Sequence, residues 1–519
     1  MTGLLPAFWP IDGLDFDTVK RLNFVIIVIG LGLLASRELL LRSRFRVGYF
    51  SALTLLAVFS VTNYSNYFSF HGERTFVHLH DLAHYYLGSK YHRELGYGHL
   101  YTAMLRAEAE IYGDRFRALE ARDLATNRLV DIRELLSRSD QTKDRFEPSR
   151  WVDFKTDVEY FHQALGPHWA GVLKDHGYNP TPVWTLIGTA LANRVPAGSR
   201  LGILTLTLLD PLLLLLVFVA LGRTFGKEVA LWSLIYFCVI FGATFGWIGG
   251  AYLRFLWFAS LTCGFCALRA RRVGLAGVLL ALAAALRVFP VFFVVPLFLK
   301  SLSGVVRRQR LPLGHGRFWI GFATLALLAF GCTLFLPQEA GSWLQFRKRI
   351  ETQLDTVSPN VVGLTQILTF QDETHLVTAQ EFENLRQRKI ATHRAQLLIV
   401  LPLFVLLVAG ACHLMTDVEA LVLGIPLLLV ALNLAGYYFI FLLLMPLAHR
   451  DWCSTLPTLL AAEAVPYMVL LVGGREALQF VSWSLALLIA MAVLYAPQVK
   501  SVLQQFDGWS QRAFRARPS

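Results

Sequence analysis

The stretch Leu201–Leu221, LGILTLTLLDPLLLLLVFVAL, decides the class of this chain. Asp210 is its one charged residue. A helix rises about 1.5 Å per residue, so about 20 such residues cross a ~30 Å hydrocarbon core. Further apolar runs lie at about Leu22–Leu41, Val47–Tyr67, Val229–Trp247, Tyr252–Leu268, Val273–Leu299, Phe318–Leu336, Gln396–Cys412, Val418–Leu434, Tyr437–Leu447, Leu456–Val472 and Leu478–Tyr495. Inside hydrocarbon a segment must satisfy its own backbone hydrogen bonds, so these runs read as helices. The expected fold is an all-α polytopic membrane bundle of about 11–13 transmembrane helices. Val273–Leu299 carries Arg287, Pro290 and Pro296. Proline breaks helices, so this run reads as one kinked helix or as two short ones forming a hairpin. Pro182–Asn193 is apolar but too short to span, and reads as re-entrant or interfacial.

Composition agrees. Hydrophobic residues make up 55% of the 519 and charged residues 16%, against about 25% charged in a soluble globular protein. The mean hydropathy is +0.50. A soluble fold would expose large apolar patches. The net charge of +12 therefore reads as positive-inside bias and attraction to anionic headgroups, with no nucleic-acid partner. The six cysteines lie in or beside apolar runs, which argues against a disulfide framework. Cys263-x-x-Cys266 sits in an apolar helix without partner ligands and reads as packing. The N-terminus has no basic n-region or small-residue cleavage site, so the first run is expected to stay as a membrane helix.

The chain divides into an N-terminal transmembrane pair (1–67), a polar insertion (68–200), a transmembrane bundle (201–499) with a loop at 337–395, and a basic tail (500–519). In the insertion, apolar residues recur at three- and four-residue steps, the pattern of short amphipathic helices lying on a membrane surface. Basic residues cluster at Arg42–Arg46, Arg223 to Lys227, Arg269–Arg272, Arg307–Arg310 and in the tail. One topology places all of them on the cytoplasmic side, provided Val273–Leu299 enters and returns. It puts the insertion, the 337–395 loop and the N-terminus outside.

Chemistry concentrates in His78-Leu-His-Asp-Leu-Ala-His-Tyr-Tyr-Leu-Gly-Ser-Lys90, which continues to Gly96-Tyr-Gly-His-Leu-Tyr101. Asp81, just past the second span, has two readings: a base that takes a proton from an attacking hydroxyl, or the cap of the helix that follows. His80 and His84 have i, i+4 spacing. With His78 and Asp81 they offer a divalent-metal reading, set against a reading in which His80 bonds substrate or Asp81 and no cofactor is needed. Arg287 and Arg254 are cations in apolar segments, which insertion scales penalise by at least ~2.5–3.5 kcal/mol at a helix centre. Each is either a ligand for an anionic phosphate or half of an ion pair, with Asp210 the one nearby acid within an apolar run.

An Asp in the first large external loop, then Tyr, then Gly96-Tyr-x-x-Leu-Tyr101, resembles the GT-C membrane glycosyltransferases, closest to the branch that uses polyprenol-phosphate-mannose. Four stretches match in order: Gly177-Tyr-Asn-Pro-Thr-Pro-Val-Trp184, Gly249-Gly-Ala-Tyr-Leu-Arg254, Ala285-Leu-Arg-Val-Phe-Pro290 and Ser358-Pro-Asn-Val-Val-Gly-Leu364. Tyr252 and Arg254 stand where that branch has Gln or Asn, and the first loop is unusually long and charged. The resemblance implies a GT-C-like bundle that moves a sugar from a polyprenyl-phosphate donor to an acceptor hydroxyl on a glycan, lipid or protein, with inversion. Its external face would be that of a bacterial inner membrane. It implies Asp81 as base, Arg287 and Arg254 on the donor phosphate, and His80, His84, Tyr85, Lys90, Tyr178, Asn179 and Asn360 as substrate-binding residues. The competing function is a transporter or flippase of a lipid-linked or anionic substrate, which intramembrane Asp210, Arg254 and Arg287 with a broken helix would also suit.

Overall fold

A computed structural model describes residues 13–42, 44–68, 77–113, 115–308, 310–335, 343–354, 360–370, 379–449 and 451–515. The chain is mostly helical, with two short antiparallel two-stranded sheets among the described residues. Among the described residues, seven helices are long and apolar enough to cross a membrane: Phe16–Ala35, Arg46–Tyr64, Arg200–Phe225, His315–Thr333, Asn384–Leu414, Trp452–Leu471 and Glu476–Gln504. Five apolar helices are shorter: Pro182–Ala192, Leu256–Arg269, Val273–Leu286, Val291–Val306 and Gly436–Ala448. The expected 11–13 equivalent spans thus resolve into two length classes. Breaks in the backbone account for much of this. Arg287 is extended (φ −145°, ψ 125°) and ends the Val273–Leu286 helix, and Pro290 disfavours helical geometry in the residue before it. The Tyr437–Leu447 run opens as a 3-10 helix, Gly436–Leu443.

Contacts distinguish two ends of the bundle. At one end Arg37 pairs with Glu228 at 2.6 Å and lies over the Trp452 ring. Arg269 lies over Phe225, so the basic residues Arg42–Arg46, Arg223–Lys227 and Arg269–Arg272 gather there. The run Val273–Leu299 does enter and return. Gly314 packs beside Val273, and Ser301 Oγ is 2.7 Å from His315 Nδ1, so both helices flanking the return start at the basic end. The two halves then part. Val273–Leu286 packs on Leu256–Arg269 and His315–Thr333, while Val291–Arg308 packs on Asp417–Val422 and Gly424–Ala431.

At the far end, Asn66 exchanges two hydrogen bonds with Leu14, and the insertion sits there. Its helices do not lie separately on a surface. Leu79–Lys90, Leu100–Tyr112, Pro148–Leu165 and Trp169–Lys174 pack around buried Tyr91, Phe146, Trp151, Phe154, Phe161 and Trp169. The apolar faces expected to meet lipid meet one another, because large aromatics bury more area in a shared core than singly at an interface. A hairpin the sequence reading did not anticipate, Glu120–Asp123 with Arg128–Asp131, completes the insertion. Described parts of the 337–395 loop form regular structure. Val361–Val362 pairs with Leu434–Ala435, and Ala379–Ala411 is one continuous helix with no boundary at 395. Ser358 and Pro359 of the quoted motif, and residues 516–519 of the tail, lie outside the described residues.

Candidate functional site

The helix Leu79–Lys90 organises the site. His78 is its N-cap: its Nδ1 accepts from the Asp81 amide at 3.3 Å. The capping reading of Asp81 is therefore corrected. Asp81 falls inside the first turn, where a carboxylate suits the helix dipole, and its side chain is free to reach outward. Residues four apart share a helix face, so Asp81 and Tyr85 point one way and His80 and His84 another.

Asp81 Oδ1 meets Arg254 Nη1 at 2.6 Å, with both side chains largely buried. Arg254 lies in the irregular segment Gly249–Phe255, where Leu253 takes a left-handed conformation (φ 55°), a geometry unusual for a residue with a Cβ. Three contacts hold that segment. The His78 amide donates to Gly250 O at 2.8 Å. Trp184 Nε1 donates to Leu253 O at 3.2 Å. Asp210 accepts from the Arg254 and Phe255 amides at 3.0 and 3.1 Å. Asp210 thus caps the start of Leu256–Arg269 from a neighbouring helix, satisfying donors that a helix start leaves open. It is not the ion-pair partner of Arg287.

Arg287 is 8% exposed. Its Nη2 donates to the Tyr85 hydroxyl at 3.4 Å, and its guanidinium lies 5.8 Å from the Tyr85 and Tyr438 rings. Arg254 lies 5.8 Å from the same Tyr85 ring and 4.9 Å from that of Tyr437. Both arginines therefore border one aromatic wall within cation–π range. No carboxylate among the described residues pairs with Arg287. The Tyr437–Tyr438 doublet was missed in the sequence. Its signal was the polar edge of an apolar run directly after Gly436.

The Tyr85 hydroxyl donates a hydrogen bond to Asn179 Oδ1 at 3.0 Å, and Asn179 Nδ2 donates to Gln353 Oε1 at 3.2 Å. Tyr178 packs against the site helix so closely that a Cβ on Gly88 would lie 2.3 Å from its ring. Its hydroxyl is 2.7 Å from Thr185 Oγ1, so it serves as a wall. Asn360 adjoins the site only through its backbone, accepting from the Gly436 amide at 2.8 Å. Lys90 is not brought to the site. Its ammonium is bound by Asp157 at 2.6 Å and by the Tyr86 hydroxyl at 3.0 Å.

His80 bonds neither Asp81 nor the arginines. Its Nε2 is 3.0 Å from Asp175 Oδ2, and His84 Nδ1 is 3.9 Å from the same oxygen. Asp81 and His78 do not join this group, so the metal set read from the sequence is corrected to His80, His84 and Asp175. Asp175 was missed, although Lys174-Asp-His176 directly precedes the Gly177-Tyr-Asn stretch. Gly177 (φ 63°) makes the turn that brings that segment back. Burial pushes the Asp175 carboxyl up, but the His80 hydrogen bond and the nearby histidines outweigh it and hold the group below the ordinary carboxylate range. Burial, helped by Arg122, pulls His176 down to about 4.

An apolar cleft of about 440 Å³ opens beside the charged cluster, lined by Val183, Ala281, Ala284, Ala285, Phe322 and Trp343 among others. Thr181 Oγ1 donates to Ala285 O at 2.7 Å, which ties the cleft to the turn that carries Arg287. Comparison with protein-family models, with curated proteins and with solved structures returned no match. Fold and site together define an all-α membrane protein whose insertion packs over a buried cluster of Asp81, Arg254 and Arg287.

Proposed function

We propose that the chain is a membrane glycosyltransferase that moves a sugar from a polyprenyl-phosphate donor to an acceptor hydroxyl, with inversion. The observation that carries the reading is the surplus of cation. Arg254 and Arg287 share one aromatic wall, and Asp81 neutralises Arg254 alone. A buried uncompensated cation is unfavourable, and a lipid-linked phosphate meets it with planar, bidentate geometry. The neighbouring apolar cleft suits the donor's hydrocarbon tail. The site's position opposite the basic clusters supports an external face for it.

In this reading the donor phosphate draws Arg254 off Asp81 and binds both arginines. Asp81 then takes the acceptor hydroxyl proton. The acceptor oxygen forms a bond to the sugar C1 as the C1–O bond to phosphate breaks, and the electron pair leaves with the lipid phosphate. Arg287 and Arg254 stabilise the charge that develops on that leaving group. The test is to incubate purified protein with a panel of polyprenyl-phosphate sugars and candidate acceptors. Release of free lipid phosphate that depends on Asp81 is expected. No release from any donor, with donor instead moved across a vesicle membrane, would establish transport in its place.

A further inference from the structure

We infer that His80, His84 and Asp175 bind one divalent transition-metal ion of the zinc class, at a site separate from the Asp81–Arg254 pair. The inference does not depend on the sugar-transfer reading. The three ligand atoms lie within 4.8 Å of one another. Metal–ligand bonds of about 2.0–2.2 Å in tetrahedral geometry place ligand atoms roughly 3.3–3.5 Å apart. The observed separations of 3.0 and 3.9 Å to Asp175 Oδ2 straddle that value. Two imidazoles and a carboxylate are a set that zinc and its neighbours accept.

The tautomer of His84 points the same way. Its Nε2 is 3.1 Å from Val172 O, and a carbonyl oxygen only accepts. That nitrogen therefore carries the hydrogen, and the Tyr101 hydroxyl at 2.8 Å adds a second contact there. In neutral His84 the lone pair then belongs to Nδ1, which faces a carboxylate oxygen at 3.9 Å. Two acceptors confront each other across a gap too long for a hydrogen bond. A cation between them resolves the conflict. The Nε2–H to carbonyl contact is the outer bond that metal-ligating histidines characteristically make. The second Asp175 oxygen is held by the His176 amide at 2.6 Å, which orients the carboxylate. His84 is buried, while the side chains of His80 and Asp175 are 33% and 45% exposed, so further coordination positions open to solvent.

The ion would tie the Leu79–Lys90 helix to the segment that carries Tyr178 and Asn179, and Asn179 in turn orients Tyr85. It is a positioning site. The test uses the full chain in detergent, stripped with chelator and titrated with Co²⁺. One equivalent should bind, with visible d–d absorption that Zn²⁺ displaces. Asp175→Asn and His84→Gln should each weaken binding at least ~tenfold, while His168→Gln, at an exposed histidine, should not. X-ray absorption of the loaded wild-type protein should report two imidazoles, which keeps the test decisive if a variant fails to fold. Uptake unchanged in both ligand variants, a shell without imidazole, or no stoichiometric uptake would overturn the site and assign the 3.9 Å contact to a protonated His84.

Discussion

Two arginine clusters sit at opposite ends of this bundle, and they are built differently. At the basic end, Arg37 Nε and Nη2 bond both oxygens of Glu228 at 2.6 and 3.0 Å. Tyr49 donates to the same carboxylate at 2.7 Å, and Trp232 donates to Tyr49 at 3.0 Å. Charge and hydrogen bonds close on themselves. At the far end, one carboxylate faces two guanidiniums, and Arg287 is left with a tyrosine hydroxyl and ring faces. A balanced pair locks helices together, whereas the unbalanced one is the feature on which the phosphate proposal rests. The Arg37–Glu228 pair is also the more exposed of the two, and the count of opposite charges differs as well.

Four substitution tests and one pH test can break or sharpen that contrast. The largest effect is all-or-none. In a background lacking the six cysteines, Ala125→Cys in the insertion should react with an impermeant thiol reagent in intact cells, and Arg42→Cys at the basic end should react only after permeabilisation. The reverse pattern would invert the proposed sidedness. Next, Asp81→Asn should lower turnover at least ~100-fold, the scale of a lost general base. The helix should still form, because His78 and not Asp81 caps it, while loss of the Arg254 ion pair should lower thermal stability. Full activity would remove Asp81 from the chemistry.

Arg287→Lys should raise the donor KM roughly 10–100-fold, as expected for lost charged hydrogen bonds, and should leave the acceptor KM unmoved. Equal shifts in both would make Arg287 a structural residue. Glu228→Gln should do the opposite. It should lower stability by about 1–2 kcal/mol, between the exposed and fully buried ion-pair ranges, and leave donor KM alone. Thermal unfolding in detergent measures it. The smallest effect concerns the insertion. Burial raises the Glu110 carboxyl, but Lys143, Trp151 and Lys155 outweigh it and lower the group to about 2 from an ordinary 4.5. A carboxyl lowered in the folded state contributes stability above its unfolded value and loses it as pH falls through the folded one. Stability tied to Glu110 should therefore fade from about pH 4.5 toward 2. Glu110→Gln should flatten that acid limb, and an unchanged limb would refute the assignment.

The sequence by itself determined the membrane class, the apolar runs, the polar insertion and a proline irregularity within Val273–Leu299, without locating its break at Arg287. Each depends on local composition or on a proline, and needs no knowledge of neighbours. It also marked Asp81, Arg254 and Arg287 as anomalous, because charge among apolar residues shows in any window. It did not determine partners. Asp210 stood as the one acid for an arginine until the fold set Asp210 against the Arg254 and Phe255 amides and Asp81 against the guanidinium. Lys90 looked like part of the site only because it shares a short stretch with Asp81. Nine positions along a helix carry it to the other end, beside Asp157. The pairing of His80 and His84 with Asp175, about ninety residues away, and the Tyr437–Tyr438 wall exist only in three dimensions. Such contacts come from how helices cross, and the period of a single helix carries no information about what its faces meet.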